Sequence, residues 1–403
     1  MRIIILYAAI VVGLLGITVS CSGRVVSNTE YHNGQTLCVD ASKMDVEGNW
    51  SLFLDSVCDI RMMPLLLDST DLLSEIKCIK VCDGRFYLSD KVTKALYCCD
   101  STGHKVFSIK AFGCGPGEYL DLTDFCVHDD TLYLLDRIGA KILSYSAIDG
   151  CYIGSVDISR KDDYYGIHVS DGRFWLLRSV YSYTVKSNVC PLAEFDRTGQ
   201  HLNDFLPQGD RYVDRLANYH MDCLIYPMNS DIHFVIPMRN SIYEISGDSV
   251  FVKYRFDFGD RDLDRYIDDK DTRMSDDEFS EMRDSRKMVA IASNVAETDS
   301  HIIIPLWNGN DGLFMLYDKR DGSNKLYRRK ISGVYFFMGG DSHVYAVGND
   351  CFATIVSPFN IVPFPDRSKV SKASENVKVA YDQLASLNLS EDDNPILMLF
   401  RVP

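Results

Sequence analysis

The chain has 403 residues, 46% hydrophobic and 25% charged, which excludes a globally disordered polymer and allows a large core. Its formal net charge of −15 repels phosphate backbones and anionic headgroups, so nucleic acid and a charged lipid surface are excluded as electrostatic partners. Aromatic residues are frequent, with 23 Tyr and 20 Phe, and they suit strands better than helices.

The first element stands apart from the rest. Arg2 is followed by an uncharged, mainly apolar run from Ile3 to Val19, then Ser20-Cys21-Ser22-Gly23. A basic start, a short apolar stretch and small residues before a cysteine describe a secretory signal over residues 1–20. The cysteine at the cleavage point gives it the form of a bacterial lipoprotein signal, with Cys21 lipidated as the mature N-terminus, although Thr18 stands where leucine is usual. An uncleaved anchor helix is the alternative, but the apolar run falls short of the ~20 residues that span a bilayer comfortably. Residues 21–48 then read as a tether, and 49–403 as the folded body. No later run is long and apolar enough to cross a membrane, so membrane contact is expected through the lipid alone.

Next comes an apparent orphan strand, Ser51–Ile60, and after it a unit written twice between Ile76 and Ile158. Each copy has an apolar run, a tight polar turn (Asp83-Gly84, Asp129-Asp130) and an aromatic-rich run ending in aspartate (FYLSD, LYLLD). A basic turn, a third run, a glycine-containing turn and a fourth run complete it. Four short strands joined by tight turns make an antiparallel meander. The turn and second run recur at Asp171-Gly172 then FWLLR, Asn229-Ser230-Asp231 then IHFVIP, Asp299-Ser300 then HIIIP, and Gly340-Asp341-Ser342 then HVYAV. Six such units, spaced by roughly 45 residues where compact, predict an all-β fold, a six-bladed β-propeller of four-stranded antiparallel blades. The runs are apolar on both faces, as blades packed radially require and a β-sandwich does not.

A ring of sheets needs its first and last blades tied together. The sixth copy supplies strands near Val334–Met338 and His343–Val347, and the final apolar run starts at Pro395. The orphan N-terminal strand and the C-terminal run are therefore expected to complete blade six. Asp260–Met288 reads as a helical excursion between blades four and five, with Ser275-Asp276-Asp277-Glu278 as its capping box. Glu375–Leu387 is a second helical segment.

Between the first two copies lies Gly113-Cys114-Gly115-Pro116-Gly117-Glu118-Tyr119. Pro116 presets a tight turn and the glycines supply conformations other residues resist, so Gly113, Gly115, Pro116 and Gly117 are structural. Glu118 and Tyr119 sit on a link at the face where inner strands begin, and are the candidate ligand contacts. Their architectural alternative is a cap on neighbouring amides for Glu118 and interblade packing for Tyr119.

The order of these features, from Pro64-Leu-Leu-Leu and Ser74-Glu-Ile through the GxGPGEY heptapeptide and LYLLD to Glu391-Asp-Asp-Asn-Pro-Ile-Leu, resembles the six-bladed β-propeller lipoproteins of Bacteroides-type gut bacteria, related to NHL and TolB-like propellers. The resemblance covers roughly residues 45–403 and implies fold and location rather than activity. In that group, acidic residues just after the lipidated cysteine accompany surface export. Ser22-Gly23-Arg24-Val25-Val26 lacks them, which implies an outer-membrane lipoprotein facing the periplasm.

Thirteen cysteines crowd toward the first copy (Cys78, Cys82, Cys98, Cys99) without paired spacing, and they read as small core residues rather than metal ligands. Among nine histidines, His128, His168, His233, His301 and His343 lie at or beside inner strands of different blades, but not at equivalent positions, so a shared axial metal is not expected. No nucleophile elbow, HExxH pair, phosphate loop, dinucleotide fingerprint or EF-hand is present, and no cofactor is expected. The expectation is a non-catalytic binding or scaffolding protein whose partner is a peptide, a glycan fragment or another envelope protein. The alternative is a propeller hydrolase or lyase with a metal in its channel.

Overall fold

The computed structural model describes residues 36–42, 46–159, 162–178, 190–207, 223–236, 239–268, 275–282, 288–308, 311–329 and 343–403. Six antiparallel sheets form the predicted propeller. Blade one is Ile76–Cys82, Arg85–Asp90, Leu96–Cys99 and Lys105–Ile109; blade two is Asp124–His128, Thr131–Asp136, Lys141–Ser146 and Tyr152–Asp157. Blade three comprises Tyr164–Ser170, Arg173–Arg178, Leu192–Asp196 and His201–Phe205, and blade four Ile225–Met228, Asp231–Val235, Ser241–Ser246 and Ser249–Asp257. In blade five the inner strand is broken into Val289–Ile291 and Ala296–Glu297, both paired to His301–Asn308; Asp311–Asp318 and Asn324–Arg328 follow. Blade six closes the ring with Tyr345–Gly348, Cys351–Val356, the C-terminal Ile396–Arg401 and the N-terminal Cys58–Pro64.

The second strand of each early blade shows why the pattern reads as it does. Arg85–Asp90, Thr131–Asp136 and Arg173–Arg178 are buried at every position after the first, because neighbouring blades cover both faces. Their terminal aspartates have a separate task. Asp90 accepts from the amides of Ser74 and Glu75 at 2.7 and 2.8 Å and from those of Val92 and Thr93 at 3.0 and 2.6 Å. Asp136 does the same for Leu120, Asp121 and Gly139. Each buried carboxylate thus pins the incoming link of its blade to its own second turn, satisfying amides that would otherwise be orphaned. The first turns have left-handed backbone at Asp83 and Gly84, at Asp129 and Asp130, and at Asp171 and Gly172, the geometry that matches strand twist in a two-residue hairpin.

Three expectations shift at the ends of the ring. Ser51–Ile60 is not one strand: Trp50–Ser56 is a helix, and the strand begins at Cys58. Asn49 caps the helix by accepting from the Leu52 amide, and Trp50, Phe53 and Leu54 turn one apolar face onto Phe314, Tyr327 and Phe400. In blade six, His343–Val347 contributes to the inner strand rather than the second, which is Cys351–Val356 after the Asn349-Asp350 turn. Val334–Met338 lies outside the described residues. Finally, part of the expected tether is laid on the body, Leu37–Asp40 pairing parallel with the outer strand of blade four and Val46–Asn49 with that of blade five.

The excursion after blade four holds two short helices, Leu263–Asp268 and Asp276–Glu281, with Ser275 accepting from the Glu278 amide at 3.2 Å. Glu375–Ser386 is a helix as expected, capped by Ser374 and docked on the N-terminal strand, where the Gln383 side chain accepts from the Met62 amide at 2.7 Å. Among the described residues no helix is long and apolar enough to cross a membrane.

Candidate functional site: the channel

Residues of all six inner strands, with the turns that follow them in blades four to six, line a cavity of about 270 Å³. Ile79 to Cys82 come from blade one, Cys126 and Val127 from blade two, and His168 from blade three. Blade four supplies Ile225 to Asn229, blade five Asn294, Val295 and Glu297 to Asp299, and blade six Tyr345, Ala346, Gly348 and Asn349. On the side where the inner strands begin, a disulfide joins Cys78 of blade one to Cys223, two residues before the inner strand of blade four, with Cα atoms 6.0 Å apart. Blades one and four stand opposite each other in a ring of six, so the bridge crosses the channel. The cavity therefore faces the end where the inner strands turn back.

Two polar systems hold the wall. Lys80 donates to Asp124 at 2.8 Å and to the Phe125 carbonyl, while the other oxygen of Asp124 accepts from the Ile167 amide at 2.9 Å. This ties the inner strands of blades one, two and three. Across the channel, buried Glu297 of blade five accepts from the Tyr226 hydroxyl at 3.0 Å, from His233 Nδ1 at 2.7 Å and from Lys319 Nζ at 2.9 Å. His233 Nε2 donates onward to Glu244 at 2.9 Å, and Lys253 lies 2.9 Å from the same carboxylate.

Burial alone would lower the His233 pKa and raise that of Glu297, but Glu297 and then Glu244 turn the His233 shift upward, and His233 and then Lys319 turn the Glu297 shift downward. His233 is thus held as a cation and Glu297 as an anion. Tyr226 is pushed well above the usual tyrosine value by burial and then by the adjoining Glu297 charge, so its proton stays on and points at the carboxylate.

His168 behaves oppositely. It is 7% exposed, lines the cavity and has no hydrogen-bond partner for its ring among the described residues. Burial, then the charges of Lys80 and His128, press its pKa down to about 3. The unfolded chain binds this proton below about pH 6.5 and the folded one does not, so stability falls with pH between those values. By this linkage the wild type is expected to lose about 2 kcal/mol between pH 7 and 5 that His168→Leu retains, measured by urea unfolding at both pH values. Parallel losses in the two proteins would refute it.

The histidines do not gather. His128 pairs with Asp129 at 3.1 Å, His233 sits behind the wall, His301 meets Asp318 at 3.4 Å, and His343 lies beside the Tyr345 ring. Among the described residues no group of three or more His, Cys, Asp or Glu is placed to hold a metal ion. Cys98 and Cys99 are free and buried, their thiols pushed up to about 11 and about 12 by desolvation, and Cys78 is committed to its bridge.

The heptapeptide is internally bonded. Gly113 donates to the Tyr119 carbonyl at 3.0 Å, and the Glu118 carboxylate accepts from the Gly115 amide at 2.7 Å while filling the space a Cβ on Gly113 would need. Gly117 has φ of +75°, and a Cβ there would meet the Tyr152 ring at 2.9 Å. Tyr119 is fully buried and donates to the Lys94 carbonyl at 2.6 Å. Neither Glu118 nor Tyr119 lines the cavity. Sequence reasoning missed Tyr226, Glu297 and Cys223. Cys21 lies outside the described residues.

A family model described as "Domain of unknown function (DUF4934)" matches residues 54–401. A protein of Bacteroides fragilis described as exported has a similar structure, with a TM-score of 0.69 at 15% identity over 91% of this chain and 99% of that one. A member of the DUF4221 family from Bacteroides vulgatus gives 0.53 at 10% identity, over 86% and 97% of the two chains. At these identities the likeness concerns the fold. No curated protein matches the sequence.

Proposed function

This chain belongs to the DUF4934 family, and from that premise we propose that it is an exported binding protein of the bacterial envelope, lipid-anchored at Cys21, which holds a small ligand in its channel. The observation carrying this reading is the cavity itself: six blades converge on it, and the Cys78–Cys223 bridge crosses one end. Its walls mix apolar side chains with a few fixed polar groups, the usual composition of a ligand site. At about 270 Å³ it suits a ligand of roughly ten non-hydrogen atoms at protein packing density.

Export is supported by the signal-like start and by the described export of the Bacteroides fragilis neighbour. The periplasm-facing position and a role without chemistry belong to the same proposal. Ala346→Trp tests the site, because Ala346 lines the cavity and an indole there would fill much of it. In ligand-observed NMR with a fragment set of mixed charge, binders of the wild type are expected to lose at least tenfold in affinity in this variant. Binding that Ala346→Trp leaves untouched would place the ligand elsewhere and overturn the reading.

A further inference from the structure

We infer that the cavity takes a small organic cation, a primary ammonium or a guanidinium, received by hydrogen-bond acceptors in the wall and by the carboxylates of the turns around its mouth. This rests on the channel as the binding site and adds the chemical class of its ligand.

The wall argument concerns where protons already point. A neutral tyrosine offers one proton and two lone pairs. That of Tyr226 is given to Glu297, whose carboxylate is held ionised by His233 and Lys319, so the oxygen of Tyr226 can only accept from a ligand. His168, over nine-tenths buried and without a ring partner among the described residues, is neutral and presents one acceptor nitrogen, which a cation can use, beside one N–H. A buried, unpartnered imidazole at a cavity wall costs free energy unless something in the cavity bonds to it. Among the described residues that line the cavity Lys80 is the one lysine, and it is spent on Asp124 and the Phe125 carbonyl; Lys319 behind the wall is spent on Glu297 and the Thr298 carbonyl.

The mouth argument concerns charge. The turns that end the inner strands carry Asp83, Asp129, Asp130, Asp171, Asp299 and Asp350, and Asp231 follows the fourth turn; none of these turns holds a lysine or arginine. Among the described residues, Asp83, Asp130, Asp171, Asp231 and Asp299 have no cation within ion-pair distance, while Asp129 meets His128 and Asp350 accepts from Ser300. The nearest arginines along the chain turn away. Arg85 donates to the Ala147 and Ile148 carbonyls, and Arg173 pairs with Glu194 and Asp248. Among the described residues Asp299 is the one of these carboxylates that lines the cavity, and Lys319, bonded to the Thr298 carbonyl at 2.8 Å and to Glu297, is the cation beside it. The ring of turns is still net acidic, and such a ring concentrates cations at the mouth of a low-dielectric cleft. An anionic ligand meets that ring first, and a neutral sugar gains nothing from it.

The test uses isothermal titration of the mature protein with agmatine as a free cation and with the peptide Gly-Gly-Arg, whose side chain carries the same group. Glucose and glutamate are the neutral and anionic probes. At least one cationic probe is expected to bind, more weakly as salt rises from 20 to 200 mM, and at least tenfold more weakly in both His168→Leu and Tyr226→Phe. Which of the two binds says whether the source is a free amine or a peptide side chain. Far-ultraviolet circular dichroism and a thermal melt confirm that each variant is folded, and agreement of the two variants guards against one of them merely perturbing the wall. Cation binding that survives Ala346→Trp would show only attraction to an acidic surface and would overturn the inference. Glucose or glutamate binding that Ala346→Trp abolishes, with both cations silent, would overturn the cation while leaving the cavity as the site. Silence from every probe, together with a silent fragment set, would remove both.

Discussion

Glu297→Ala is expected to lower the free energy of unfolding by about 3–5 kcal/mol near pH 6, the usual cost of removing one partner from a buried ion pair. The carboxylate is buried and accepts from Tyr226, His233 and Lys319 together, so its loss leaves the phenol without that acceptor, His233 with Glu244 alone and Lys319 with only the Thr298 carbonyl. The sign of the pH dependence separates this from simple loss of packing. His233 has a folded pKa above its ordinary value of 6.5, so the stability it contributes is complete below that value and is lost as pH rises through the folded pKa. Glu297 has a folded pKa below its ordinary 4.5, so its contribution is present above that value and is lost as pH falls through the folded one. The gap between wild type and variant, measured by urea unfolding from pH 5 to 9, is expected to be widest around pH 5–6 and to narrow toward pH 9. A gap of constant size across that range would mean that Glu297 acts as filler, and the charge network would have no energetic role.

That network also shows where sequence reading ends. The repeat was legible because each copy carries its own local instructions: a left-handed polar turn, a strand buried on both faces and, in blades one and two, an aspartate that pins two loops. Local instructions fade in blade six. There some 40 residues containing the Pro358–Ile361 and Glu375–Ser386 helices separate the second strand from its partner at Ile396, and the unit is read one strand out of step. They fade again at Trp50–Ser56, where seven residues are too few to tell a helical face from an alternating one. The site was less legible still. Tyr226, His233, Glu244 and Glu297 come from four strands of two blades, and no spacing along the chain announces that they meet. Spacing cannot single out one histidine among nine: among the described residues His168 is the histidine that lines the cavity, and it stands alone there.

Removing the bridge across the channel is expected to have a comparable cost by a different route. Cys78 and Cys223 are 145 residues apart in sequence, and closing a loop of that length restricts the unfolded chain by up to about 5 kcal/mol in the loop-entropy treatment; measured losses of native bridges run at about 2–5. For a body of this size, with an unfolding entropy of about 2 cal/mol/K per residue, that corresponds to a fall in Tm of about 3–7 °C. Cys78→Ala, Cys223→Ala and the double variant should all show it alike, because each abolishes the same bond, and reduced wild type should match them in a calorimetric melt. Unequal single variants would assign the difference to the buried Cys78 side chain, which packs between blades one and two. Oxidised and reduced wild type melting within 1 °C of each other would mean that the bond adds nothing to the ring. The bridge also joins the inner wall of blade one to the segment leading into Ile225, so the variants should bind cavity ligands more weakly at temperatures where they remain folded. A loss of affinity without loss of helix or strand signal places the effect on the shape of the channel, since the blades themselves are held by hydrogen bonds that the bridge does not touch.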